Sequence, residues 1–224
     1  LAEEFVNMFI GHGGEFFKDG AKPNINNAKG VATLNMLKKL ADLSNPDYLT
    51  HDSEAIKVEW ESGNVAIMTL WASRSGTLLD DEGDAKITAA TKLVAPATVG
   101  GGNIPAATLW WDGFTLAKNR SDADAEASFR AMAHAASSKE MVAKAADQAV
   151  WLVEGFVPGP KSVGVIEAVK MGAKPYPMLP QMGLMHGALG SEIVEFLQGN
   201  ESAEQALKDV EAAYISKAKE QGFL

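Results

Sequence analysis

The chain of 224 residues contains no cysteine. That excludes a disulfide framework, thiolate-ligated zinc, an iron–sulfur cluster and a cysteine nucleophile, and it fits an oxidising compartment. Positive charge is scarce: 20 Lys and Arg stand against 29 Asp and Glu, for a net charge of −9. With no basic cluster to replace counterions on phosphate, nucleic acid is not an expected partner. No apolar run approaches the roughly 18 to 20 residues that span a bilayer. The chain begins LAEEFVNMFIG, with no initiator Met and no basic stretch before an apolar one. The reading expected from this start is a mature or trimmed N-terminus with no signal peptide. Hydrophobic residues make up 46% of the chain, enough for a core in one or two domains.

Enzyme signatures are also absent. There is no G-x-S-x-G elbow, no Walker A loop and no G-x-G-x-x-G after a strand. The run Gly100-Gly101-Gly102-Asn103 precedes a strand pattern rather than a helix N-terminus, so it does not read as a phosphate cradle. The four histidines, at 12, 51, 134 and 186, are scattered without metal-ligand spacing. No catalytic residue, metal or cofactor is expected.

What is present is a series of capped amphipathic segments. Phe5, Met8 and Phe9 predict a helix over 1–10, stopped by glycines at 11, 13 and 14. Residues 15–20 read as a hairpin ending in Asp19-Gly20. Asn24 to Asn27 cap a helix running to about Leu43, with Val31, Leu34, Leu37 and Leu40 as its stripe. A short helix is expected over Glu54 to Ser62. Val65 to Leu70 reads as a buried strand that Trp71 ends, Ile87 to Ala95 as another strand, and Thr108 to Leu116 as a third. Ser121-Asp122 caps a helix to about Ala136 with Ala125, Phe129, Met132 and Ala133 inward, and Ser138 caps a second one extending through Leu152. Met182 to Leu197 is helical. Ser202-Ala-Glu-Gln is a capping box for a last helix with the stripe Ala203, Leu207, Val210 and Tyr214. Three Pro/Gly-rich stretches, 96–105, 155–160 and 174–180, are candidate domain crossings. Helices interspersed with short strands give an α/β class.

The aromatics suggest a ligand site. Trp71 is expected at the carboxyl end of a buried strand, where α/β sheets hold their ligands. Trp110 and Trp111, adjacent on a strand, would point to opposite faces, with Asp112 next. An indole beside a carboxylate suits a neutral sugar, whose apolar face stacks while its hydroxyls bond the carboxylate. The alternative is that all three indoles are core packing.

Six segments, in order, resemble the carbohydrate-binding group of extracellular solute-binding proteins of ABC importers, the group that includes maltose-binding proteins. They are FVNMFIGHGGEFFKDG (5–20), NNAKGVATLNMLKKL (26–40), WESGNVAIMTLW (60–71), LWWDGFTLAKN (109–119), EASFRAMAHAASSKEMVAKAA (126–146) and the long stretch from Pro175 to Tyr214, with its Pro-Gln-Met run and QALKDVEAAY helix. The resemblance is to the C-terminal part of such a protein. It implies a periplasmic-binding-protein-like two-lobe α/β fold. Residues 1–98 and 157–224 would belong to the C-terminal lobe, and 99–156 to the hinge crossing and part of the N-terminal lobe. It further implies capture of a carbohydrate between the lobes and delivery to the permease subunits in the membrane. The location would be periplasmic or extracellular, with lipid anchoring an option.

By position, the resemblance assigns Trp71, Trp110, Trp111 and Asp112 to the cleft. His186, beside Met185 and Gly187, stands where an aromatic is common. Gln181 and Arg74 are hydroxyl or carboxylate contacts, although Arg74 also reads as a solvated loop charge, and Glu4 is a weaker match. A polyol or glycerol-phosphate-type ligand, a glycoside-acting enzyme and a bare interaction module are the alternatives. With an N-terminal section missing, Phe129, Met132, Val142 and Trp151 would lose their cover, and dimerisation or poor stability is expected.

Overall fold

A computed structural model describes residues 1–80, 83–151 and 153–224. In chain order the elements are α1 (Ala2–Gly11), β1 (Phe17–Lys18), β2 (Lys22–Pro23), α2 (Ala28–Ala41), α3 (Ser53–Glu61), α4 (Ala72–Ser75), α5 (Ala85–Ala90), β3 (Thr108–Leu109), α6 (Asp122–Ser137), α7 (Lys139–Lys144), α8 (Val163–Lys170), β4 (Lys174–Pro175), α9 (Met182–Gln198) and α10 (Ala203–Glu220). They group into two compact units. One comprises Leu1–His51, Pro96–Trp110 and Ala168–Leu224, and the second Asp52–Ala95 and Trp111–Glu167.

The first unit has a core of α1, α2, α9 and α10. Phe5, Phe9 and Phe16 form an aromatic cluster, with Phe9 and Phe16 edge-on at 4.9 Å. Leu34, Leu189, Ile193, Leu207, Val210 and Tyr214 close around it, all fully buried. The predicted stripe of the last helix is entirely buried, whereas Leu40, in the last turn of α2, is exposed. Caps set the helix starts. Asn27 accepts from the Lys29 and Gly30 amides, and Ser202 accepts from Gln205. Two side chains of α10 lock the chain that leads into α2. Glu211 accepts from the amides of Ile25 and Asn26 at 3.0 and 2.9 Å, and the Tyr214 hydroxyl donates to the Ala21 carbonyl at 2.7 Å. The expected hairpin forms between β1 and β2, with Phe17 opposite Pro23.

The glycine stretch near residue 100 is packed against α1. Thr98 bridges Pro105, Val99 is buried, and Gly100 and Gly101 take φ of 59° and 73°. A side chain at Gly100 would overlap the His12 ring, so glycine is used there for close packing. Beyond this turn β3 pairs in parallel with β4, Thr108 beside Lys174 and Leu109 beside Pro175.

The second unit departs from the strand expectations. Residues 65–70 form no ladder, with a bend at Ala66, and among the described residues their backbone makes no hydrogen bond. A β-rich sequence becomes a strand only when a neighbour completes the ladder. No strand forms over Ile87 to Ala95: its first part belongs to α5, because Asp84 accepts from the Lys86 and Ile87 amides and starts a helix, and 91–95 is coil. The strand expected over Thr108 to Leu116 stops at Leu109, and 111–120 is exposed coil and turn. α7 ends at Lys144 rather than continuing; Leu152 lies outside the described residues. α8 had no counterpart in the sequence reading. Its approach is a 3-10 turn begun by Pro160.

Apolar burial in this unit is sparse. Leu78 is buried, and so is Val142, against the expectation that it would lose its cover; Phe129, on the helix face read as inward, is exposed, and Ile67 is 89% exposed. Trp151 is half-buried, its indole donating to the Ala145 carbonyl at 2.8 Å. Among the described residues no helix is long and apolar enough to cross a membrane.

Candidate functional site

The first unit gathers a polar and aromatic cluster at the carboxyl ends of β3 and β4. The ladder extends one residue further through the Tyr176 amide, which donates to the Leu109 carbonyl at 3.0 Å. This sets Tyr176 beside Trp110, their rings stacked with centroids 4.1 Å apart. Trp110 remains 50% exposed, so one part of the indole is backed by Tyr176 while another faces solvent.

α1 supplies the polar side. Glu3 and Asn7 are four residues apart and so lie on one helix face. The Thr108 hydroxyl lies 2.7 Å from Glu3 Oε1 and 2.8 Å from Asn7 Oδ1. The Trp110 indole nitrogen donates to Thr108 Oγ1 at 3.0 Å and approaches Glu3 Oε1 at 3.3 Å. Glu3 Oε2 is buried without a hydrogen-bond partner. On the far side of Tyr176, its hydroxyl pairs with His186 Nδ1 at 3.0 Å from α9. Burial first, and the negative charge of Glu3 second, push the Tyr176 phenol up to about 12. The phenol is therefore neutral and can donate to His186.

Of the residues singled out in the sequence, Trp110 and His186 come together through Tyr176. Gln181 is buried at the start of α9, where its carbonyl accepts from Leu184 and Met185. Met185 is a fully buried core residue, while Gly187 is exposed with open space beside it. Glu4 is paired with the N-terminal ammonium at 2.7 Å; the carboxylate in the cluster is its neighbour Glu3. Trp71, Arg74, Trp111 and Asp112 belong to the second unit. Trp71 precedes α4 and is exposed, and no strand leads into it. Arg74 is ion-paired with Glu54. Trp111 and Asp112 are exposed, Trp111 lying against Gly113, and they follow β3 rather than sitting on it.

Sequence reasoning passed over Glu3, Asn7, Thr108 and Tyr176. A usable signal existed for Glu3 and Asn7 in their shared helix face. Tyr176, inside a proline-rich stretch, read as part of a crossing. Pro175 and Pro177, which flank it, line an open concavity of about 380 Å³ with Phe16, Phe17 and Lys174. Among the described residues no group of three or more His, Asp or Glu is arranged to hold a metal.

No family model matches the sequence, and no curated protein matches it. Among solved structures the chain is similar to the maltose-bound MalE3 of T. maritima, with a TM-score of 0.74 and 18% identity. The match covers 94% of this chain and 56% of that one, so the chain spans about half the length of the structure it matches. At this identity the likeness establishes the fold: a helix-dominated α/β chain of the periplasmic-binding-protein type.

Proposed function

We propose that the chain is the sugar-binding part of a solute-binding protein, one that captures a carbohydrate and hands it to the permease of an ABC importer without altering it. The observation that carries this reading is the half-exposed Trp110 at the carboxyl ends of two parallel strands, edged by Glu3 and Thr108 and backed by Tyr176, whose hydroxyl holds His186. An indole so placed offers a stacking face for a sugar ring, and the surrounding oxygens and ring nitrogens suit its hydroxyls. The fold shared with a maltose-bound protein supports the same ligand class. Among the described residues the cluster holds one carboxylate, Glu3, whereas glycoside hydrolysis uses a facing pair. That favours binding over turnover.

Export to the periplasm or cell exterior, the permease partner, and a further N-terminal section of the same protein belong to this proposal. So does the assignment of 1–98 and 157–224 to one lobe and of 99–156 to the hinge and part of the other. Because 52–95 pack with 111–167 in the second unit, limited proteolysis tests that assignment: cuts near 99 and 157 agree with it, and cuts confined to 52 and 168 do not.

A thermal-shift screen of mono- and oligosaccharides and polyols tests the function. A ligand at ten times its Kd stabilises the native state by about 1.4 kcal/mol, a readable shift. Absence of any shift, or release of reducing sugar from a glycoside, overturns the proposal.

A further inference from the structure

The hydrogen-bond count of the cluster is unbalanced. Three acceptors converge, Glu3 Oε1, Glu3 Oε2 and Asn7 Oδ1. Two protons are available to them, one from the Thr108 hydroxyl and one from the Trp110 indole. Each donor serves one strong bond at a time. Turning the Asn7 amide over would let its nitrogen donate to Thr108 and free the hydroxyl for Glu3 Oε1. Even then Glu3 Oε2 stays buried and without a donor.

The charge is uncompensated as well as under-bonded. Among the described residues no ammonium, guanidinium or imidazole lies within ion-pair distance of Glu3. Lys174, two residues before Tyr176, makes no ion pair with Glu3 and lines the concavity formed with Phe16, Phe17, Pro175 and Pro177. A negative charge held in a partly buried setting is weakly screened and repels like charge strongly. Sites for anionic ligands present the reverse arrangement, with arginine or amide donors.

We propose that Glu3 sets the charge selectivity of this site: it admits ligands that donate hydrogen bonds, neutral sugars and amino sugars, and rejects sugars bearing a carboxylate or phosphate. The proposal rests on the sugar-binding reading above. It concerns Glu3 acting through its charge and through its hold on Thr108 and Trp110, a role distinct from the stacking of the indole itself.

The test is ligand-detected NMR, which reads affinities into the millimolar range, on the 224-residue chain with D-glucose, D-glucosamine and D-glucuronate. Wild type is expected to bind glucuronate about tenfold more weakly than glucose, the order of effect of one nearby charge, and glucosamine at least as tightly as glucose. In Glu3→Gln the glucuronate penalty shrinks to about threefold or less and the glucosamine preference disappears. A variant-free arm covers the case in which Glu3→Gln fails to fold. The wild-type glucuronate penalty should shrink as salt is raised from 20 to 500 mM, because salt screens charge repulsion. An unchanged penalty in folded Glu3→Gln, or a wild-type penalty indifferent to salt, overturns the selectivity claim alone. Failure of all three sugars to bind wild type overturns the sugar-binding reading and this claim with it.

Discussion

Gly30 lies on α2 where that helix meets both its own lead-in and α10. A Cβ added there would overlap the Ile25 carbonyl oxygen and sit 2.9 Å from Leu207 Cδ1. Two effects of Gly30→Ala oppose each other. Helix propensity favours alanine by about 1 kcal/mol. Overpacking against a backbone atom costs about 3 kcal/mol, the upper end of its range, because the Ile25 and Asn26 amides are tied to Glu211 and the carbonyl cannot swing aside cheaply. The net expectation is a loss of about 2 kcal/mol. Gly187, on α9, is the control. It is exposed with nothing near its missing Cβ, so Gly187→Ala should gain about 0.5–1 kcal/mol from propensity alone. Urea unfolding followed by circular dichroism reads both. A Gly30→Ala chain as stable as wild type would refute the packing of α2 against the Ile25 turn, and a destabilised Gly187→Ala would refute the open surface assigned to α9.

Other outcomes follow from the same structure. Tyr176 should be the last of the three tyrosines to ionise in an absorbance titration at 295 nm, near pH 12. Its folded pKa lies above the ordinary value of 10.0, so its contribution to stability is complete below pH 10 and is lost as pH rises toward 12; Tyr176→Phe should flatten that alkaline decline. The uncovered side chains of the second unit, Ile67 and Phe129 among them, should drive concentration-dependent association, visible in gel filtration. Ile67→Lys should reduce it, and a wild-type chain that elutes as a monomer at every concentration would contradict the expectation.

The first unit was legible because its elements carry their own signals. Asn27 and Ser202 cap, Gly199 stops, and the apolar stripes of α1, α9 and α10 have the helical period. The second unit was not. Residues 65–70 have strand composition, but a ladder depends on a partner that composition does not supply. At 85–90 the reading followed the β-branched and apolar residues and missed the Asp84 cap. The site was half legible. Trp110 and His186 stood out by residue type, whereas Tyr176 joins them through the pairing of β3 with β4, a contact between residues 66 apart in sequence. The resemblance pointed to Glu4, its neighbour Glu3 occupies another face of α1, and the long-range contact to Thr108 is what selects Glu3.

Trp110 is the residue on which the functional account turns. Titration of the chain with neutral sugars, followed by ligand-detected NMR and tryptophan fluorescence, should give saturable binding for at least one of them. Trp110→Ala should weaken that binding about tenfold, the contribution of one aromatic stacking contact, while leaving the circular dichroism spectrum unchanged. Saturable binding of equal strength in wild type and Trp110→Ala, or no binding of any neutral sugar by wild type, would contradict the account.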